Sequence, residues 1–528
     1  MAERSAGKAG GNRFPSASSG RVVFNRTLFG RTLFCFYILL LVWAPLPLGS
    51  NRAWSWAVLE VWVFLLGTCA LLSWAINPRA WPGFASGGGS GGISALAIGL
   101  LVLWLGYLGL QMLELPLPLL ERLAPANASW WPGLPTAADA GVGRLAASLE
   151  SARSGWLKQC AYTVAFCLTL ALVDSGRRLR IVIYAMLATA TLEAVYGLSA
   201  LFMHDGFPFW RPTWFGHHWA TGTFINKNHY AANLSFGIAL SVGLCLDFVS
   251  RRPLRSRSGG PGAALARLSG ALLEPGYLRF GLLLVLLTAF FFSQSRGAFL
   301  GLVIAGLGLL VFGACWQKSR RSARDAGRAA PAETRLLPWL LVTGLAAAVW
   351  LRGSGLFTRL SPSELADPGR LYTWRQALVM WRDHWLFGTG NDSFRYVFTR
   401  YRVPELDGRV YDYAHNDHLQ LLVEQGVIGA VLFYSVFGLC WCAIMTAYCR
   451  SGGGAGERGL VLGILIAVSA FFLHALVDFN FHIPGNALWF YVLLALGLVC
   501  STRQGRRIKV ATAARGGNTS LEWSDNES

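Results

Sequence analysis

The feature that most constrains this chain is a series of long apolar blocks with hardly any charge inside them. A bilayer core about 30 Å thick needs about 20 apolar residues per helix. Twelve such blocks predict helices near 33–49, 55–77, 94–113, 158–174, 181–203, 231–249, 280–295, 298–316, 337–351, 426–449, 459–478 and 487–501. Only 14% of the residues are charged, against about 25% in soluble domains. We therefore predict an all-α polytopic membrane protein, which excludes a secreted disulfide scaffold, a disordered chain or an ordinary cytosolic enzyme.

The distribution of Lys and Arg predicts how these helices are oriented. An even number of spans places both termini on one side, and positive residues concentrate in cytoplasmic loops. With both termini in the cytoplasm, the cytoplasmic segments hold 29 of the 46 Lys and Arg residues. We therefore predict a cytoplasmic basic tail over 1–32, a membrane domain over 33–501 and a cytoplasmic polar tail over 502–528. The net charge of +19 then reflects topology rather than nucleic-acid binding.

One predicted loop on the opposite side, 352–425, is too long for a simple connection and is expected to be part of the active site. It is nearly neutral, with nine basic and nine acidic residues. Within it, 371–387 has the periodicity of an amphipathic helix, whose apolar stripe is formed by Leu371, Trp374, Leu378, Trp381 and Trp385. Such a helix fits either the membrane interface or packing on neighbouring loops, and periodicity alone leaves both open.

The segment His415-Asn416-Asp417-His418-Leu419-Gln420 leads directly into an apolar span. Asp417 and Gln420 have the spacing of a capping box, which predicts a helix that begins at Asp417. His415 would then precede a helix N-terminus, whose positive end favours the neutral imidazole. A neutral imidazole can act as a general base for a hydroxyl. From the residues alone, a structural histidine is the alternative interpretation.

Charges inside or at the edge of predicted spans are further candidates, because inserting each costs about 2.5–3.5 kcal/mol. Arg296, in Ser295-Arg296-Gly297, lies between two apolar blocks. Its guanidinium could bind a phosphate bidentately or extend to the lipid head groups. His474, Asp478 and His482 recur every four residues. The carboxylate could orient a histidine, bind a sugar hydroxyl or form a hydrogen bond between helices.

Neither a metal site nor a cofactor site is predicted. His217, His218 and His229 lie in one segment but lack a compact ligand pattern with Cys or carboxylates. The sequence has no phosphate-binding glycine loop, nucleophile elbow or dinucleotide fingerprint. A soluble nucleotide-sugar domain is also missing, which favours a donor carried in the membrane.

Several of these segments together resemble the O-antigen ligase and polymerase superfamily of bacterial inner-membrane glycosyltransferases. The family's ligase motif is His, then Asn, Ser or Gln, nine further residues and Gly-x-x-Gly. Here His415-Asn416 is followed by nine residues and by Gly426-Val427-Ile428-Gly429, although Ala430 replaces the family's threonine. Other similar segments are 45–52, 224–229, 295–297, 369–370 and 477–484. The likeness covers roughly 35–500, including the number of spans and the one long external loop.

The resemblance implies a GT-C-like architecture and a metal-independent, inverting glycosyl transfer on the periplasmic face, without a cofactor. The donor would be a glycan on undecaprenyl pyrophosphate, and the acceptor a hydroxyl of lipid A-core or of a growing polysaccharide. The family's two functional arginines and its motif histidine correspond to Arg296, Arg370 and His415. The arginines would neutralise the departing pyrophosphate, and the histidine would remove the acceptor proton. Secondary candidates for donor or acceptor contacts are Arg211, Lys227 and Asp478.

Four functions stay open. An O-antigen ligase and a Wzy-type polymerase differ only in the acceptor, and the sequence does not separate them. A protein O-oligosaccharyltransferase is less favoured, because members of that branch are expected to carry soluble sequence after the last span. A polysaccharide transporter should show internal repeats or helices broken at matched positions, and the sequence has no such pattern.

Overall fold

The computed structural model describes residues 26–76, 91–132, 141–203, 218–250, 278–319, 368–406, 408, 410–451 and 457–519. The helices of this part of the chain are α1 (Arg26–Trp43), α2 (Ala53–Ile76), α3 (Gly91–Leu110), α4 (Leu117–Leu123), α5 (Pro125–Ala128), α6 (Leu149–Leu172), α7 (Gly176–Met203), α8 (Lys227–Ser250), α9 (Leu278–Phe292), α10 (Arg296–Ser319), α11 (Pro368–Asp383), α12 (Phe394–Val397), α13 (Asp417–Arg450), α14 (Arg458–His474) and α15 (Pro484–Thr519). Sheet in the same residues is limited to β1 (Leu115–Pro116) and β2 (Val142–Gly143), which pair antiparallel with Leu115 opposite Gly143.

Helices occupy eleven of the twelve predicted spans, and the twelfth, 337–351, lies outside the described residues. Seven described helices are long and apolar enough to cross a membrane, namely α2, α3, α7, α8, α10, α13 and α15, whereas α1, α9 and α14 are apolar but shorter. The first half of α6 is more polar, because it contains Glu150, Arg153 and Lys158. The fold class is therefore that of an all-α membrane protein. The number of spans, the extent of the 352–425 loop and the domain boundaries stay predictions.

Helix α14 packs between α8 and α10 and is buried along most of its length. Glycines on both helices allow α14 to approach α8 closely. A Cβ on Gly243 would lie 2.6 Å from the Gly459 carbonyl oxygen, and a Cβ on Gly463 would lie 2.7 Å from the Ala239 carbonyl oxygen. Small residues at such interfaces let membrane helices gain dispersion contacts along their backbones. This packing fixes the end of α14, from which the segment that carries Asp478 follows.

The amphipathic helix predicted in the long loop is present as α11. The side chains that pack inward are Thr373, Ala377 and Met380. Leu371 and Leu378 of the predicted stripe are about half exposed, at 53% and 50%. The apolar periodicity therefore predicted the helix correctly, but part of its apolar stripe lies on the outer surface of the described structure.

We predict that Gly243→Ala destabilises the protein, because its methyl group would overlap the Gly459 carbonyl oxygen at the α8–α14 contact. Overpacking of this kind costs about 1–3 kcal/mol. Gly308→Ala is the matched control, because a Cβ on Gly308 of α10 would meet no atom within 4 Å. Thermal unfolding of the purified proteins in detergent measures the difference. Equal shifts for both variants would contradict the proposed tight contact.

Candidate active site

Three helices begin at one cavity of about 280 Å³, which we call the cationic cavity. Lys227 is the first residue of α8, Arg296 is the first residue of α10, and Arg370 lies in the first turn of α11. All three side chains line the cavity together with Asp478. Helix N-termini carry partial positive charge and expose unpaired N–H groups, so they bind anions. Three cations at three N-termini give this cavity the chemistry of a phosphate site.

Contacts within the protein hold two of these cations in place. The Arg370 guanidinium donates a hydrogen bond from Nη1 to the Val477 carbonyl oxygen at 3.0 Å, so it is anchored beside Asp478. Lys227 Nζ lies 3.9 Å from the centroid of the Trp219 ring. A cation over an indole face is stabilised by the ring quadrupole. Each cation is therefore positioned by a neighbour from a different segment.

Gly297 explains how Arg296 comes close to the same segment. A Cβ at position 297 would lie 2.6 Å from Val477 Cγ2 and 2.8 Å from His474 Cδ2. The first turn of α10 can therefore lie against the end of α14 only because this residue has no side chain. Gly297 thus has a packing role, and this packing places Arg296 at the cationic cavity.

His415 lies in the turn that precedes α13. Its φ of +52° is in the left-handed region, which a residue with a Cβ adopts at a cost and which often marks functional sites. Helix α13 begins at Asp417, as predicted, but the predicted capping box is wrong. Asn416 is the N-cap and accepts a hydrogen bond from the Leu419 N–H at 3.0 Å. The Asp417 carboxylate cannot cap because it accepts from the Phe481 N–H and contacts His482 instead.

The Asp478 carboxylate is 1% exposed and is surrounded by imidazoles. Its oxygens lie 3.6 Å from His229 Nε2, 3.8 Å from His474 Nε2 and 3.9 Å from His415 Nδ1. Burial alone would raise the pKa of Asp478, but the neighbouring His229, together with His474 and His415, holds that pKa well below its usual range. Asp478 is therefore an anion that lies within 4 Å of three imidazoles.

His415 also lines a second cavity of about 420 Å³, which we call the His415 cavity. The other residues that line it include Asn51, Arg52, Asn226, His229, Tyr413 and Phe479. The Phe479 ring stacks on Tyr413 with centroids 4.3 Å apart, and the His229 and His415 rings meet it edge-on at 4.5 and 4.7 Å. Phe479 thus fixes the orientation of both imidazoles.

The glycines of the ligase-type motif are structural. Gly426 has φ +63° and interrupts the regular geometry of α13, and a Cβ there would overlap the Leu386 carbonyl group. At this interruption the Val427 N–H donates to the Trp385 carbonyl oxygen at 2.8 Å. Just before it, the Thr389 N–H donates to the Val423 carbonyl oxygen at 3.0 Å. This half of the motif therefore fastens the long loop to the helix that His415 precedes.

The segment 45–52 joins the same region through another glycine. A Cβ on Gly49 would lie 2.6 Å from the Phe224 ring and 3.0 Å from Ile483. The buried Glu193 carboxylate accepts from the Thr223 N–H at 2.9 Å and from the Thr223 hydroxyl at 2.7 Å. These contacts hold the segment that leads to Asn226, which lines the His415 cavity, and to Lys227, which lines the cationic cavity.

Five of the six predicted site residues lie in this region. Those that line the cationic cavity are Lys227, Arg296, Arg370 and Asp478, whereas His415 lines the neighbouring cavity and contacts Asp478. Arg211 lies outside the described residues. Their roles stay predictions.

Sequence reasoning missed three residues that line the His415 cavity, namely His229, Arg52 and Asn226. His229 enters that reasoning only as a metal-ligand candidate. The available signal was its position within 224–229, one of the segments that resemble the family. Arg52 and Asn226 likewise belong to such segments, 45–52 and 224–229.

A family model described as O-antigen ligase matches residues 281–434. That match confirms the resemblance to the O-antigen ligase and polymerase superfamily. The matched part runs from α9 into α13, so it contains Arg296, Arg370, His415 and both glycines of the ligase-type motif. Ligases and polymerases of the glycosyltransferase type make up this superfamily, which supports enzymatic function at that level. No curated protein matches the chain.

We predict that Asn416→Ala lowers the free energy of unfolding by about 1 kcal/mol, because the Leu419 N–H loses its acceptor. Asn416→Ser is the matched control, since a serine hydroxyl can accept the same hydrogen bond. Thermal unfolding in detergent compares the two variants. An unchanged unfolding temperature in Asn416→Ala would show that the cap contributes nothing.

Proposed function

We propose that this chain is a membrane glycosyltransferase that moves a glycan from undecaprenyl pyrophosphate to an acceptor hydroxyl on the periplasmic face of the bacterial inner membrane. One observation carries the proposal: Asp478, which lines the cavity of three cations, lies 3.9 Å from His415, which lines the neighbouring cavity. The first cavity supplies the positive charge that a leaving pyrophosphate needs, and the second supplies a base for an attacking hydroxyl. The O-antigen ligase match supports the general class.

The cationic cavity would bind the pyrophosphate of the donor. Arg296 and Arg370 would form charge-assisted hydrogen bonds to its oxygens, and Lys227 would add a third positive charge. Negative charge on the leaving group grows in the transition state, so cations fixed in advance stabilise that state more than the ground state. The anchoring of Arg370 on the Val477 carbonyl group supplies this preorganisation.

The acceptor would enter the His415 cavity with its hydroxyl near the imidazole. His415 would take the hydroxyl proton as the acceptor oxygen attacks. The Asp478 carboxylate, 3.9 Å from His415 Nδ1, would stabilise the imidazolium that forms. Edge-on contacts with the Phe479 ring keep the His415 and His229 imidazoles beside this carboxylate.

The reaction balances without a cofactor or a metal ion. The bond between the anomeric carbon and the phosphate oxygen breaks, and its electron pair leaves with undecaprenyl pyrophosphate. A new bond forms between the acceptor oxygen and the anomeric carbon, and the acceptor proton passes to His415 and then to solvent. The resemblance implies inversion at the anomeric carbon, for which the acceptor oxygen attacks opposite to the leaving pyrophosphate; a base and cations that line different cavities are compatible with that arrangement.

Lipid A-core is the acceptor we propose first, since the matching family model is described as O-antigen ligase. A growing polysaccharide, the acceptor of a Wzy-type polymerase, is the alternative and would use the same donor site. In either case we propose that both termini are cytoplasmic and that the two cavities open to the periplasm. Arg211 and Lys227 remain secondary candidates for donor contacts.

We predict that Arg296→Ala and Arg370→Ala each lower glycan transfer by about a hundredfold to a thousandfold, because pyrophosphate departure loses a fixed cation. His415→Ala should lower it by about a hundredfold to ten-thousandfold, because the base is lost. Arg375→Ala is the matched control: this exposed residue lies on the same helix as Arg370 but does not line the cavity.

The measurement is glycan profiling of a deletion strain complemented with each variant at matched expression. Long chains left on the lipid carrier, beside bare lipid A-core, would identify a ligase. Single repeat units without long chains would identify a polymerase. Full transfer by His415→Ala and by both arginine variants would contradict the proposed site.

A further inference from the structure

The 3.9 Å between His415 Nδ1 and the nearest Asp478 oxygen is longer than a hydrogen bond. Contacts of neighbouring residues also hold the segment that carries His415 beside the segment that carries Asp478. Asp417, two residues after His415, makes such contacts. Its backbone N–H donates to the carbonyl oxygens of Ala475 at 2.9 Å and of Asp478 at 3.1 Å.

The Asp417 side chain fastens the same two segments a second time. One carboxylate oxygen accepts from the Phe481 N–H at 2.9 Å, and the other lies 2.7 Å from His482 Nδ1. Asp417 is 4% exposed, so water competes little for these hydrogen bonds. Four contacts therefore converge on one residue at the start of α13.

The second nitrogen of His482 leads back to the His415 turn. His482 Nε2 lies 3.1 Å from Gln420 Nε2, and the Gln420 side-chain oxygen accepts from the Ala414 N–H at 2.9 Å. Because an amide nitrogen only donates, the contact with Gln420 requires the His482 tautomer in which Nε2 accepts and the Nδ1–H donates to the Asp417 carboxylate. One imidazole thus links the residue before His415 with the residue two positions after it.

The rest of this network is anchored in other helices. The Gln420 amide also donates to the Glu424 carboxylate at 2.9 Å, and that carboxylate accepts from the Asp392 N–H at 2.8 Å. Lys158 of α6 donates to the Asp392 carboxylate at 2.8 Å. Burial alone would raise the pKa of Asp392, but Lys158 lowers it. The His482 imidazole is therefore held on both sides by groups whose own positions are fixed.

We infer that the Asp417–His482 pair is a positioning device that holds the proposed base, His415, in place against Asp478. The inference rests on the proposed function, because it gives His415 the role of base. Neither Asp417 nor His482 lines the cationic cavity or the His415 cavity. Both act through His415, so they affect the chemical step rather than donor binding.

The test compares His482→Ala with His482→Asn in the purified full-length protein, supplied with solubilised membranes of the deletion strain as the source of donor and acceptor. An asparagine amide nitrogen can replace Nδ1 as the donor to Asp417, whereas alanine cannot. We expect His482→Ala to lower kcat at least about tenfold, because small misplacement of a reacting group has large effects, with KM for the lipid-linked donor nearly unchanged. His482→Asn should recover most of the loss.

A second readout does not depend on transfer. Diethyl pyrocarbonate labelling of His415, resolved by peptide mass spectrometry, reports where its imidazole lies, and the exposed His218 serves as the internal reference. We expect faster labelling of His415 in His482→Ala and unchanged labelling in His482→Asn. Unchanged labelling in both variants would overturn the inference, as would equal loss of kcat in both. Altered labelling with full transfer would support the positioning role but contradict the proposed role of His415 as the base.

Discussion

A carboxylate buried at the end of an apolar helix bundle is the constraint on which the candidate site depends. Removing a carboxylate from water is costly unless positive partners and hydrogen bonds surround it. The Asp478 carboxylate accepts a hydrogen bond from the Phe479 N–H at 2.9 Å. Three imidazoles lie around it and come from the first turn of α8, the end of α14 and the turn before α13. Satisfying one charge therefore draws together segments that are far apart in the chain.

The segments that resemble the family contain both candidate site residues and glycines at close contacts. Gly297, Gly426 and Gly49 each lie where a Cβ would overlap a neighbour from another segment. Arg296 directly precedes Gly297, and Gly426 interrupts the helix that His415 precedes, so these two candidate side chains lie in segments whose packing depends on a glycine. The conformation and contacts of Gly426 thus explain that position of the ligase-type motif by the loop it fastens.

Local properties of the chain could be predicted from the sequence, and distant contacts could not. Apolar blocks determined where the helices lie, because the cost of exposing polar backbone in lipid acts on each segment separately. The start of α13 was also predicted correctly, but its cap was assigned to Asp417 rather than Asn416. Spacing could not reveal that Asp417 is already engaged by His482, 65 residues away.

The same limit applies to the site. Arg296, Arg370 and His415 followed from the resemblance, but the hydrogen bond from Arg370 to Val477 spans 107 residues. No periodicity or motif spacing carries information about such a contact. The contacts that give His229 its place beside Asp478 span even more of the sequence, and so sequence reasoning did not single it out.

The residues whose backbone is in the left-handed region have a consequence for engineering this protein. Among the described residues, the non-glycine positions with positive φ are Leu48, Ser50, Gln294, Asp392 and His415, and all of them lie in or beside the polar segments described above. Strained conformations persist where the surrounding structure imposes them, and stability is commonly gained by relieving them at the expense of activity. A laboratory selection for heat resistance is expected to find stabilising substitutions at these positions, and under the proposed function the gain in stability would come with a loss of glycan transfer.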